Sequence, residues 1–120
     1  MKYMMLIYGN QETWDAAAYE DWPAIIAAMN AYNAKYFATG EMLGAYGVAD
    51  QIEARTVRIV DGVAAITDGP YIEAKEYIGS FSIIECADLD RALAIAADMP
   101  WAKIGPVEIR PLEHEAESHA

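Results

Sequence analysis

Cysteine is almost missing from this chain. Cys86 is the only one, so no internal disulfide can form and a reducing, cytoplasmic setting is expected. It ends an apolar run and reads as a small buried hydrophobe. Histidine is nearly as scarce: His114 and His119 both fall in the last seven residues. Two tail histidines and one cysteine cannot build a usual zinc shell, so no metal is expected. Ser80 and Ser82 have no histidine nearby for a hydrolytic triad. Basic residues are few, 8 against 19 acids, giving a formal charge of -11. A field of that sign repels phosphate backbones and anionic lipid heads, which argues against nucleic-acid and membrane-surface partners. No apolar run approaches the ~18 residues needed to span a bilayer, and the opening "MKYMMLIY" has no small-residue cleavage signature. The glycines form neither a P-loop nor a dinucleotide fingerprint, so no cofactor is expected.

What is present suffices for one domain. The chain has 120 residues, 55% of them apolar, enough for a packed core. Lys2 to Tyr8 is nearly all apolar and suits a central strand. Glu12 to Tyr19 predicts a short helical turn. Pro23 suits the first position of a separate helix with Asp21 as its cap. Trp22, Ile25, Ile26, Met29, Tyr32, Tyr36 and Phe37 form one stripe at three- and four-residue steps, and Gly40 stops the helix. A weak strand follows over Glu41 to Val48. Thr56–Val60 and Val63–Thr67 flank Asp61-Gly62, a two-residue hairpin turn whose central positions need positive φ. Gly79 to Glu85 is another strand. Asp88 caps a second helix with Leu89, Ala92, Leu93, Ala96 and Met99 on one side, and Pro100 closes it. Val107 to Leu112 is the last strand.

This order predicts an α+β fold, the split βαβ or ferredoxin-like sandwich, with two helices on one mostly antiparallel sheet. Residues 1–112 form the single domain and 113–120 a polar tail. Period-two alternation assigns Phe81, Ile83, Val107, Ile109, Val57 and Ile59 to the face under the helices. Ser80, Ser82, Ile84, Glu108, Arg110, Thr56, Arg58 and Val60 then make a mixed second face. Such a face is too apolar for water and too polar for a dry core. It predicts a homodimer with sheets facing each other around a polar-lined cavity.

"TDGPYIEAKEYIGSFSIIE", residues 67–85, holds the candidate site. An Asp side chain in a turn ordinarily accepts the N–H two residues on, but that position is Pro70, which has none. Asp68 is left to bond Tyr71 N–H or to meet a ligand, and the proline pushes Gly69 toward an extended conformation. Asp68 is the candidate catalytic base. Tyr8, Arg58, Tyr71, Glu73, Lys75, Ser82 and Arg110 are candidate substrate-binding residues: the arginines would counter an anionic group and the tyrosines would wall a pocket.

"MKYMMLIYG", the 67–85 stretch, "DLDRALAIAADMP" and "VEIRPL" together resemble the YCII-related family in its DGPF-domain branch, with Tyr71 where that branch has phenylalanine. The resemblance implies a ferredoxin-like domain that dimerises into an αβ barrel. It also implies association of some members with extracytoplasmic-function sigma factors. In some relatives it implies a His-Asp pair for catalysis, including a dehydrochlorinase acting on a chlorinated hydroxyquinol. Asp68 matches the acid of that pair, and no histidine precedes the tail. Three readings follow. One is a dimeric module binding a small polar or aromatic molecule. The second is an enzyme performing proton abstraction, isomerisation or elimination on a small cyclic substrate, with Asp68 as base and Arg110 stabilising negative charge. The third is a regulatory adaptor.

Overall fold

The computed structural model describes residues 1–117, without the side chains of residues 17–21. Two expectations, Asp21 as a cap and His119 in the polar tail, therefore lie outside the described residues. The elements are β1 (Lys2–Gly9), α1 (Gln11–Ala38), β2 (Met42–Gly47), β3 (Arg55–Val60), β4 (Val63–Asp68), β5 (Tyr77–Glu85), α2 (Leu89–Ala97) and β6 (Val107–Pro111). Short 3-10 turns stand at Gln51–Glu53 and Pro100–Lys103. Four strands make one antiparallel sheet in the order β2-β5-β1-β6. The α+β plan is as the element order predicts. No helix among the described residues is long and apolar enough to cross a membrane.

The first helix differs from its expected form. A single helix starts at Gln11 and runs through Pro23. Asn10 caps it, accepting from Thr13 N at 2.9 Å. An interior proline costs roughly 3 kcal/mol. Burial of Tyr32 and Tyr36 further along, against both the sheet and α2, offsets that cost. In α2 Asp88 is the cap, as expected. Its buried face is rotated from the predicted stripe: Ala92, Ile95 and Ala96 are buried, whereas Leu89 and Leu93 are exposed.

Both helices lie on one side of the sheet, and pairing fixes which residues they cover. Tyr3 opposes Ile84, Met5 opposes Ser82 and Ile109, and Ile7 opposes Ser80 and Val107. These residues share the helix side, where Tyr3, Met5, Ile7 and Ile84 join Tyr32, Tyr36, Ile95 and Trp101 in the core. The other side carries Met4, Leu6, Tyr8, Phe81, Ile83, Glu108 and Arg110. This corrects the expected faces for β5: Ser80, Ser82 and Ile84 face the helices, and Phe81 and Ile83 do not. The alternation was right; the register decided which set is covered.

The hairpin is also displaced from its expected place. β3 and β4 pair only with each other in a separate two-stranded sheet. All their residues except half-buried Thr56 are exposed, so Val57 and Ile59 do not pack under the helices. Its turn is as predicted, with φ of 51° at Asp61 and 78° at Gly62. The start of the polar tail is tied down, with Leu112 N–H donating to Lys2 O at 2.9 Å and Lys2 Nζ 2.7 Å from Glu115 Oε2.

Candidate functional site

The sequence-predicted residues separate into several places. Asp68 ends β4 with a side chain 90% exposed, and Arg55 Nε lies 3.1 Å from its Oδ1. Arg55 is its near register partner across the hairpin. Gly69 takes φ 96°, the positive region open to glycine, rather than the extended form expected before proline. Asp68 and Glu73 line an open concavity of about 620 Å³ beside Asp50, Ile52 and Pro70. Arg58 sits over the Tyr71 ring at 5.9 Å, and both are exposed. Lys75 contributes its backbone carbonyl, which accepts from Asn10 Nδ2 at 3.3 Å and ties the loop to the start of α1.

Tyr8 and Arg110 lie on the helix-free face of the sheet. Tyr8 Oη donates to Glu108 Oε2 at 3.2 Å. Partial burial, then that acceptor, hold its phenol above the usual value, while Arg110 pulls the other way. On the same face Tyr46 and Phe81 pack with ring centroids 5.2 Å apart. A concavity of about 460 Å³ lies there between β2 and the tail, lined by Leu43, Tyr46, Ile83 and His114.

Ser82 is in different company. It is 6% exposed, on the helix side, and floors a cleft between α1 and the sheet. Two adjoining cavities make up this cleft. The inner one, about 170 Å³, is lined by Met5, Ser80 and Ser82 below, with Met29, Asn33 and Met99 around them. The outer one, about 280 Å³, shares Ile7, Met29 and Ser80 with the inner cavity and is walled by Trp14, Trp22 and Trp101, all three tryptophans of the chain.

Local structure explains these walls. Trp14 falls in the first turn of α1 and packs on Trp101 with centroids 5.1 Å apart. Its ring lies against bare backbone at Gly9 and Gly79, where an added Cβ would come within 2.5 Å and 2.7 Å of it. Gly79 is the extra residue of a bulge, since Ile7 pairs Ser80 and Tyr8 pairs Ile78. Pro100 starts the 3-10 turn that delivers Trp101, whose indole Nε1 is buried without a hydrogen-bond partner.

The chemistry of the cleft is simple. No acidic, basic, histidine or cysteine side chain among the described residues lines either cavity. The polar groups are serine hydroxyls, asparagine amides, one tyrosine and three indoles. Neither Ser80 nor Ser82 has an intraprotein hydrogen-bond partner for its hydroxyl among the described residues. Both hydroxyls open into the cleft, where they are free to meet water or a bound molecule. Ser82 entered the sequence analysis as a binding candidate and Ser80 only as a serine without a triad histidine; the tryptophans and Asn33 were missed as a group. Their signal was three tryptophans in 120 residues, with glycines at the strand positions that receive one of them.

The comparisons agree with this architecture. The model of the YCII-related domain matches residues 1–115. An uncharacterised protein of Rhizobium meliloti (strain 1021) is 32% identical over 114 residues, covering 93% of this chain and 92% of that one. Among solved structures, the chain is similar to 5-chloro-2-hydroxyhydroquinone dehydrochlorinase (TftG) from Burkholderia phenoliruptrix AC1100, in complex with 2,5-dihydroxybenzoquinone. The TM-score is 0.53 at 12% identity, over 96% of each chain, a likeness of fold.

Proposed function

Because this chain belongs to the YCII-related family, we propose that it is a small-molecule-binding domain whose ligand is a neutral one-ring compound held in the cleft between α1 and the sheet. The free hydroxyls of Ser80 and Ser82, flooring a tryptophan-walled cleft without a charged group, carry this reading. An apolar cavity of about 150 Å³ is enough to hold benzene. The outer cavity of about 280 Å³ therefore has room for a substituted ring. The aromatic walls supply contact area, and the serines and Asn33 set orientation. The fold neighbour's bound 2,5-dihydroxybenzoquinone has this size and shape. Arg58 and Arg110 lie outside the cleft, so the ligand carries no anionic group into it.

We place the chain in the DGPF branch on its Asp68-Gly69-Pro70-Tyr71 turn, with residues 1–112 as the domain, 113–120 as its tail and the single Cys86 supporting a cytoplasmic setting. The helix-free face, with Phe81 and Ile83 half-buried beside Glu108 and Arg110, supports a homodimer of αβ-barrel type. Elimination or isomerisation with Asp68 as base is the second reading, favoured by the dehydrochlorinase activity named for the fold neighbour. It requires a partner to cover Asp68, which is open to solvent here.

Titration of tryptophan fluorescence with neutral phenols and benzoquinones tests the binding reading. Saturable quenching is expected. Ser80→Ala and Ser82→Ala each remove one hydrogen bond of about 0.5–1.5 kcal/mol, or roughly 2- to 13-fold in Kd. Binding confined to charged aromatic acids, or indifferent to both serines, overturns it.

A further inference from the structure

We propose that the ligand of the cleft has two parts: an aromatic ring in the outer cavity, and in the inner one a short neutral arm that carries a hydrogen-bond donor and an acceptor side by side, as a carboxamide does. The inference deepens the binding reading above and rests on it. The two cavities meet at Ile7, Met29 and Ser80, and beyond that border their chemistry diverges. The outer cavity is apolar. Trp14, Trp22 and Trp101 wall it, and away from the border the polar side chain among its described residues, indoles apart, is the exposed Asn30. Trp22 and Ile26 line it while 40% and 44% exposed. A flat apolar ring is the group that covers such walls.

The inner cavity gathers the hydrogen-bonding groups. Ser82 is 6% exposed, and Ser80 and Asn33 are half-buried. Among the described residues none of these three side chains has a hydrogen-bond partner within the chain, and the Ser82 hydroxyl opens into the cavity. Spacing decides what can meet them. Ser80 and Ser82 stand two residues apart on one face of β5, about 6.6 Å along the strand. A single atom bonded to both at about 2.8 Å bridges at most about 5.6 Å. A lone phenol hydroxyl therefore serves one serine. The nitrogen and oxygen of an amide can meet one serine each, and Asn33 offers a further donor and acceptor from α1.

Charge and room set the rest. No charged side chain among the described residues lines the inner cavity, so a carboxylate arm would be buried without a counter-charge, a cost that a neutral amide avoids. A cavity of about 150 Å³ takes the six heavy atoms of benzene. The inner cavity, about 170 Å³, therefore takes an arm of roughly that many atoms after the ring has filled the outer one. Met5, Met29 and Met99 form much of its wall. Unbranched thioethers repack around different shapes, so the serines and Asn33, rather than the outline of the cavity, select the arm.

NMR titration of the full chain with ethylbenzene, hydrocinnamamide and hydrocinnamate tests this, since the three share a ring and a two-carbon stem. The tryptophan indole N–H signals should move with both neutral ligands, and the Asn33 side-chain amide only with hydrocinnamamide. Two added hydrogen bonds should make hydrocinnamamide roughly 10- to 30-fold tighter than ethylbenzene, with hydrocinnamate well behind it. Ala45 lines the inner cavity directly across from Ser82. Ala45→Leu should fill that cavity and bring hydrocinnamamide down to the affinity of ethylbenzene. Ser82→Ala and Asn33→Ala should each cut the amide's advantage roughly fivefold, and they decide the matter if the leucine variant does not fold. Equal binding of hydrocinnamamide and ethylbenzene, or an advantage undiminished in both alanine variants, overturns the two-part ligand and leaves the ring-binding cleft standing. Hydrocinnamate matching the amide overturns the neutral arm. Indole signals that move with none of these ligands, nor with phenols, sink the cleft reading and this one together.

Discussion

Gly79→Ala should disturb the protein far more than its one methyl group suggests. An added Cβ would lie 2.7 Å from Trp14 Cη2 and 2.8 Å from Cζ2. Ordinary carbon contacts are about 3.5–4.0 Å, so the ring has to retreat by roughly 0.7–1 Å. Retreat toward the sheet is blocked, because Gly9 backbone already meets the same ring. Trp14 must therefore swing away from the sheet and out of its packing on Trp101. Overpacking of this kind costs about 1–3 kcal/mol. Replacing glycine returns about 0.4–1 kcal/mol through the unfolded chain. The net loss is then about 0–2.6 kcal/mol, centred near about 1.3, which is a fall in Tm of roughly 5 °C for a domain of this size.

Gly47→Ala is the control. Gly47 lines the same cleft and pairs with Ser80, the neighbour of Gly79, yet a Cβ there meets nothing within 4 Å. Only the unfolded-chain term operates, so this variant should hold its Tm or gain a few degrees. Thermal melts followed by far-UV circular dichroism measure both, and tryptophan emission reports the moved ring. The Gly79 variant should also bind phenols more weakly, because Trp14 walls the outer cavity. Equal Tm for the two variants, to within about 1 °C, together with unchanged emission, would refute the steric reasoning and the placement of Trp14.

Two further substitutions probe the frame around the cleft. Tyr32 Oη donates at 2.9 Å to Ile95 O, a carbonyl in the last turn of α2 left free because Met99 N–H turns to Ala96 O. Tyr32→Phe should cost about 1–3 kcal/mol by orphaning a buried acceptor, seen as a lower urea midpoint at unchanged slope; a neutral result would remove this link between the helices. Hydrogen bonds from Arg91 hold the Glu41 carboxyl below its usual value, and bonds from Lys35 and Tyr36 do the same for Asp98. Depressed carboxyls lend stability that is complete above their unfolded values and is lost as pH falls through the folded ones. The Tm gap between wild type and Arg91→Leu should therefore be widest above about pH 5 and close toward pH 3; a constant gap would show that the ion pair contributes nothing.

Local chemistry made much of the frame legible in the sequence. Apolar runs bounded by glycine and asparagine mark β1 and β5, Asp88 supplies its own helix cap, and Asp61-Gly62 can serve as a tight hairpin turn because both residues tolerate positive φ. Element order then selects the α+β class. Period-two alternation separates residues into two sets but is silent on which set a helix covers. Strand register and the bulge at Gly79 made that choice, and they put Ser80 and Ser82 rather than Phe81 beneath α1. Only the tertiary structure could gather Trp14, Trp22 and Trp101, far apart in the chain, around one cleft. It also left Asp68 in the open beside Arg55, because the hairpin joins no sheet but its own. A turn motif fixes a backbone, whereas the surroundings of its side chain depend on segments that nothing local can specify.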